Sequence, residues 1–110
     1  MSLPDKLTLS PIHKITGSVV LPGSKSLSNR ILLLSMLAEG KTEIQNLPDS
    51  DDVRRMVEAL ETLGIKLEEN RVENIITVSG TSGKIPVKEA TLILGNAGTA
   101  IRPLTAAMTL

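Results

Sequence analysis

The sequence predicts a mixed fold of the α/β (α+β) class, in which short strands alternate with helices. Apolar residues at three-to-four-residue spacing indicate helices, and the segments between them are short and β-rich. Clusters of glycine, proline and aspartate mark the breaks. The predicted order is β-α-β-α-β-β, followed by a β-α pair that resembles the opening of a second copy of the same unit.

The first strand is predicted at residues 18–21, a β-rich run that a Pro-Gly pair ends. The first helix is expected to start at a serine cap, Ser24 or Ser26, and to reach about Glu39 before Gly40. Apolar residues surround most of this helix, so we expect it to be largely buried. Its main apolar stripe consists of Leu27, Ile31, Leu34 and Ala38.

A second strand is predicted at residues 42–47, before a turn at Pro48-Asp49-Ser50. The helix that follows has acidic residues at its start and Gly64 after its end. Its apolar positions have clear amphipathic spacing and are Val53, Met56, Val57, Leu60 and Leu63.

Residues 65–68 and 76–78 alternate in polarity and predict an antiparallel pair, with a polar break at Glu69-Asn70. A further strand is predicted at residues 91–94. The last helix is predicted from about Thr99, and its apolar face would consist of Ile101, Leu104 and Met108. Because this helix reaches the last residue uncapped, we interpret the chain as the N-terminal piece of a longer protein.

The composition excludes several classes of function. There is no cysteine and no aromatic residue, the net charge is zero, and His13 is the single histidine. Disulfide chemistry, base stacking on aromatic side chains and a usual zinc site are therefore excluded. We expect a cytoplasmic protein that binds neither nucleic acid nor membrane. His13 is expected at the surface, and the core methionines are expected to be Met36, Met56 and Met108.

The first helix begins with a polar turn that suits an anion. Lys25 lies in the turn, while Ser26 and Arg30 are four residues apart and share one helix face. A hydroxyl, an ammonium and a guanidinium beside free N–H groups can hold a phosphate monoester. The alternative is ordinary capping by Ser24 with solvated cations. The spacing is not that of a Walker A loop.

A second glycine-bearing turn precedes the last helix. Gly95 and Gly98 leave room between the backbone and a ligand, and Asn96 offers an amide group. Thr99 is a candidate helix cap, and Pro103 is expected in the first helical turn. The alternative is a tight turn whose glycines need positive φ.

The acidic residues at the second helix have three interpretations. Asp49, Asp51 and Asp52 would bind a metal, orient Lys25, or complement the helix dipole. We favour the dipole, and we expect neither a metal nor a cofactor.

Three motifs occur in order along the chain: Pro-Gly-Ser-Lys-Ser-x-Ser-Asn-Arg, Asp-Ser-Asp-Asp-Val and Leu-Gly-Asn-Ala-Gly-Thr-Ala-x-Arg-Pro-Leu. With them, the sequence resembles the 5-enolpyruvylshikimate-3-phosphate synthase family from about Leu7 to Leu110. The resemblance implies two domains of repeated βαβαββ units around a cleft, with the first unit and the start of the second present here. It implies that residues 1–20 pack, as an N-terminal strand, with a C-terminal domain absent from this sequence. Residues 21–110 would be the first part of the substrate-binding N-terminal domain.

The resemblance also implies a reaction. The family transfers the enolpyruvyl group of phosphoenolpyruvate to the 5-hydroxyl of shikimate 3-phosphate, in the shikimate pathway of aromatic amino acid biosynthesis. Lys25, Ser26 and Arg30 would hold shikimate 3-phosphate, and Lys25 would also reach phosphoenolpyruvate. Asn96 and Gly98 would line the phosphoenolpyruvate pocket, which in the family also accepts glyphosate. The family's acid/base residues lie later in its sequence, so we expect no catalytic residue in this chain.

Two alternatives stay open at the level of sequence. One is the related UDP-N-acetylglucosamine enolpyruvyl transferase, which acts on a nucleotide sugar and lacks this serine-rich phosphate turn. The other is a non-catalytic fragment or scaffold. The expected partners are the two phosphorylated substrates and the remainder of the same enzyme.

Overall fold

A computed structural model describes residues 3–110 of the chain. Helices and a small sheet make up the fold, which confirms the predicted mixed α/β class. The elements, in chain order, are α1 (Lys25–Leu37), β1 (Lys41–Gln45), α2 (Asp51–Thr62), β2 (Leu67–Asn70), β3 (Ile75–Ser79) and α3 (Gly98–Ala107).

The strands predicted at residues 18–21 and 91–94 are wrong, because neither segment joins the sheet. A β-rich sequence becomes a strand only where a neighbour completes its hydrogen-bond ladder, and the described part of the chain gives these segments none. Residues 3–22 are exposed throughout and lie outside the packed body. The radius of gyration is accordingly 18.5 Å, whereas a compact chain of this length has about 13 Å.

The start of α1 is the serine cap expected from the sequence, whereas its buried face is not the predicted one. The Leu27 amide donates to Ser24 Oγ at 3.3 Å, so Ser24 caps the helix. The predicted stripe is wrong, because Leu27 and Leu34 are exposed. The helix instead buries a partly polar face made of Ser28, Asn29, Leu32, Ser35 and Met36. The hydroxyls of Ser28 and Ser35 and the Nδ2 of Asn29 donate hydrogen bonds, which permits their burial.

The second helix, α2, follows its sequence pattern closely. The Val53 amide donates to Ser50 Oγ, which caps the start. Gly64 has a φ of 86°, and the Ile65 amide donates to the Leu60 carbonyl, as in a Schellman motif. The predicted apolar face is confirmed, with Val53, Met56, Leu60 and Leu63 buried and Val57 partly buried.

The sheet is antiparallel, with the strand order β1-β3-β2. The predicted pairing of the two later strands is confirmed, but the turn is displaced. Residues Glu69 and Asn70 belong to β2, and the turn spans residues 71–74. Asn74 has a φ of 54°, which asparagine tolerates better than most residues and which closes the turn.

Three expectations for α3 are wrong. The helix begins at Gly98 after Ala97, so Pro103 lies in the second turn rather than the first. Thr99 is not its cap, because the cap position is Ala97 and has no side-chain hydrogen bond. The face predicted from the larger residues is also corrected: Leu104 is buried, whereas Ile101 and Met108 are exposed. Small residues, Ala100 and Ala107, complete the buried face instead.

The three helices contact one another, and α1 also contacts β1 and β3. Met36 and Met56 are fully buried in this core, as predicted, whereas the prediction is wrong for Met108, which is exposed. His13 is exposed, also as predicted. Among residues 3–110, no helix is long and apolar enough to cross a membrane.

Candidate functional site

An open cleft of about 510 Å³ lies where the first turns of α1, α2 and α3 come together. Helix N-termini carry unpaired N–H groups and a partial positive charge, which favour an anion at this place. The residues that line the cleft come from all three helices and from the turn before α3: Lys25, Arg30, Asp52, Asn96, Gly98, Thr99, Arg102 and Pro103.

The cleft has an excess of positive charge. Lys25 Nζ lies 3.3 Å from Asp52 Oδ2, which orients the lysine as one of the sequence interpretations proposed. Arg30 and Arg102 form no ion pair with any residue in the described range. Three cations and one carboxylate leave a formal charge of +2, which suits a ligand with more than one negative group.

The structure brings together four of the five substrate-binding residues predicted from the sequence. Lys25 and Arg30 from α1 face the same cleft as Asn96 and Gly98 from the turn at α3. Ser26, the second residue of α1, is half-buried and is not among the lining residues. The roles of all five residues in substrate binding remain predictions.

Four lining residues were not among the predicted binding residues, and two of them, Asp52 and Arg102, are charged. Arg102 belongs to the third sequence motif, and it lies on α3 four residues after Gly98, so helical spacing brings both to one face. Asp52 belongs to the acidic cluster, and its role as the partner of Lys25 depends on how α1 and α2 pack. The signal for Arg102 was present in the sequence, whereas the pairing of Asp52 needed the fold.

The two glycines of the second motif differ in conformation. Gly95 has a φ of 56°, so the turn there does need the left-handed region. Gly98 does not have a positive φ, and a Cβ added to it would meet no atom within 4 Å. Gly98 therefore borders open cleft space, and the interpretation as a turn glycine applies to Gly95 alone.

A larger groove of about 660 Å³ shares no residue with this cleft. Its charged lining residues are Asp49, Arg54, Glu58, Glu61, Glu69 and Arg71. These sum to a formal charge of −2, which disfavours a phosphorylated ligand. Within residues 3–110, no three acidic or histidine side chains are grouped so that they could hold a metal ion.

The fold and the cleft define a mixed α/β unit in which cations and helix N-termini meet at one open cleft. A family model described as EPSP synthase (3-phosphoshikimate 1-carboxyvinyltransferase) matches residues 9–110. The chain belongs to this family.

Relatives in two kingdoms have similar sequences. The 3-phosphoshikimate 1-carboxyvinyltransferase of Ralstonia nicotianae is 54% identical over 106 residues, which are 96% of this chain and 24% of that protein. The chloroplastic enzyme of the same name from Petunia hybrida is 53% identical in an alignment 111 residues long, which covers 96% of this chain and 22% of that protein. The chain thus spans about a quarter of the length of these relatives.

The fold is also similar to solved structures. EPSP synthase from Acinetobacter baumannii superimposes with a TM-score of 0.73 and 26% sequence identity. The superposition covers 83% of this chain and 20% of that one. A second structure of the Acinetobacter enzyme gives the same score and covers 21% of that chain.

Proposed function

We propose that this chain supplies part of the substrate site of an enzyme that transfers the enolpyruvyl group of phosphoenolpyruvate to the 5-hydroxyl of shikimate 3-phosphate. The observation that supports this most directly is the cationic cleft, where residues from two separate family motifs face each other. The names of the relatives agree with the transferase activity. The proposal extends the activity from those longer proteins to this chain.

In this proposal, the two motifs divide the binding task. Lys25 and Arg30 hold the phosphate of shikimate 3-phosphate, and the guanidinium of Arg30 can grip it with two hydrogen bonds. Ser26 follows Lys25 in the same helical turn, and we assign it to the same substrate. Asn96 and Gly98 border the phosphoenolpyruvate side, where the absence of a side chain on Gly98 allows close approach. Holding both substrates in one geometry lowers the entropic part of the barrier.

The chemistry itself is assigned to residues outside this chain. In the addition, the 5-hydroxyl oxygen bonds to C2 of phosphoenolpyruvate and loses its proton, while the C2–C3 double bond opens and C3 gains a proton. In the elimination, C3 loses a proton, the double bond reforms, and the C2–O bond to phosphate breaks to release inorganic phosphate. Those proton transfers need acid and base groups at the reacting atoms. The cleft contains one carboxylate, Asp52, and it is already paired with Lys25. This chain binds and orients both substrates, and it stabilises negative charge.

We also propose that the chain divides into two parts with different roles. Residues 21–110 form the first part of a substrate-binding domain, and residues 1–20 pack with the rest of the enzyme. The exposure of Leu7, Leu9, Ile12 and Ile15 supports the second assignment, because apolar side chains at a surface favour a covering partner. The cytoplasmic location stays a prediction.

The experiment uses an exchange protein, in which this chain replaces the 106 matched residues of the Ralstonia relative. Phosphate release by this protein is measured with phosphoenolpyruvate and shikimate 3-phosphate. We expect turnover close to that of the parent and none with UDP-N-acetylglucosamine as acceptor. A soluble, folded exchange protein without turnover would contradict the proposal and would favour a non-catalytic role, whereas turnover of the nucleotide sugar would favour the other transferase.

A further inference from the structure

Asn29 connects the three helix starts that surround the cleft. It is fully buried in the second turn of α1, one turn after Lys25 and next to Arg30. Its Nδ2 donates to Thr99 Oγ1 at 2.8 Å and to the Asp52 carbonyl at 3.3 Å. Asp52 and Thr99 are the second residues of α2 and α3. The side-chain amide of Asn29, which belongs to α1, therefore forms hydrogen bonds with the first turns of both α2 and α3 beside the cleft.

The amide is not what packing alone would select. Asn29 Oδ1 is buried and has no hydrogen-bond partner among the described residues. A buried acceptor without a partner costs stability, and an apolar residue at this position would not carry that cost. The two donated bonds are what an apolar residue cannot supply.

We propose that Asn29 is a positioning residue, whose amide fixes the spacing of the first turns of α1, α2 and α3. Through that spacing it sets the distances between Lys25 and Arg30 on one side of the cleft and Gly98 and Arg102 on the other. This inference rests on the proposed function, since it assigns Asn29 to the preparation of the substrate site. Asn29 is not itself among the lining residues.

The main variant is Asn29→Leu in the exchange protein. Leucine has the same branching and the same number of heavy atoms as asparagine, although its methyl groups are larger, and it removes the orphaned oxygen together with both donated bonds. We expect the variant to fold, and to lose about tenfold or more in kcat/KM for both substrates. Hydrogen exchange should become faster in peptides covering residues 51–58 and 98–104, whose sequences are unchanged.

Ser35→Ala is the matched control. Ser35 lies on the same buried face of α1, and its hydroxyl donates to the Ile31 carbonyl within the helix. It contributes no hydrogen bond to α2 or α3 in the described structure. The control should keep the kcat/KM of the parent and the hydrogen-exchange rates at the starts of α2 and α3, even if it lowers the melting temperature.

A second variant separates the two bonds. Thr99→Val keeps the shape of the side chain and removes only the acceptor for the shorter bond. We expect faster exchange at the start of α3 and unchanged exchange at the start of α2. In the double variant, Thr99→Val should add little to the faster hydrogen exchange that Asn29→Leu causes at the start of α3, because both changes remove the same bond there. Since Thr99 also lines the cleft, hydrogen exchange and not kcat/KM is the measure, and increases in exchange that multiply would overturn the inference.

Three other results would also decide. If Asn29→Leu keeps kcat/KM within about twofold of the parent, or if Ser35→Ala loses as much, Asn29 only fills space. If Asn29→Leu does not fold, the Thr99→Val variant decides. Unchanged hydrogen exchange at the start of α3 in that variant overturns the inference, and faster hydrogen exchange there supports it. If the exchange protein without further substitutions has no turnover, the proposed function fails. The hydrogen-exchange rates of the variants still decide whether Asn29 fixes the starts of α2 and α3.

Discussion

Lys25 of α1 and Asp52 of α2, which both line the cleft, form an ion pair with 3.3 Å between Nζ and Oδ2. The pair joins two helices that are adjacent in space and separated in sequence by β1. Since about half of the lysine side chain is exposed, solvent screens the pair, and it should contribute only about 0.2–1 kcal/mol to stability. Its larger effect is on the charge that a ligand meets.

Asp52→Asn should therefore strengthen the binding of a simple anion. Removing one carboxylate from the cleft favours inorganic phosphate by about 1 kcal/mol, roughly a fivefold lower Kd at low salt. Asp51→Asn is the control, because Asp51 is also at the start of α2 but pairs with Arg55. Calorimetric titration with inorganic phosphate tests this. Equal changes for both variants would mean that only the helix dipole matters.

Arg30→Lys should weaken shikimate 3-phosphate in an enzyme of the relatives' length that carries this chain. Lysine keeps the charge and loses the two-pronged geometry, so we expect a loss of about 1.5–3 kcal/mol. Shikimate without its phosphate should bind almost as before. Titration with the two ligands provides the comparison, and equal losses for both would show that Arg30 supports the fold rather than the phosphate.

Gly98→Ala should affect binding and leave the fold intact. Gly98 is the first residue of α3, and an added methyl group meets no protein atom within 4 Å. The melting temperature should be unchanged or slightly higher. The methyl group would instead enter ligand space, where overpacking costs about 1–3 kcal/mol. Saturation and inhibition curves should weaken for phosphoenolpyruvate, and more so for the longer glyphosate.

Gly95→Ala is the companion to that variant. At a φ of 56° an alanine is strained by about 1–2 kcal/mol, so this variant should lower the melting temperature. If Gly98→Ala leaves both ligands unaffected, or weakens shikimate 3-phosphate most, the assignment of the phosphoenolpyruvate pocket is wrong.

The 110-residue chain alone should show no enolpyruvyl transfer. Its cleft holds one carboxylate, and that carboxylate is paired with Lys25. Activity should appear when the remaining part of the Ralstonia relative is supplied as a separate polypeptide. The assay is phosphate release by each part and by the mixture. Turnover by the purified chain would show that the proton-transfer groups lie within it.

Local sequence predicts α2 almost completely, because capping by Ser50, the apolar spacing and Gly64 all act within the element. It does not predict the buried face of α1, whose apolar residues surround the helix. That face depends on how α1 packs against α2 and α3, where Asn29 has its distant hydrogen-bond partners. The segment at 18–21 fails for a related reason, since a strand exists only with its neighbour.

The same reasoning applies to the site. The two glycine-bearing motifs identify Lys25, Arg30, Asn96 and Gly98, which the fold brings to one cleft. Ser26 has the right residue type and spacing, yet it is not among the residues lining that cleft. The partnership between Lys25 and Asp52 depends on helix packing and could not be chosen over the helix dipole from sequence.

The exposed course of residues 3–22 has a practical consequence for following assembly. Trypsin should cut this segment first, after Lys6 and Lys14, because both lie in extended chain outside the helices and the sheet. If the segment packs with the rest of the enzyme, the bond between Lys14 and Ile15 should become resistant when that part is added. The appearance of an uncut band on a gel would then report docking before any product is formed.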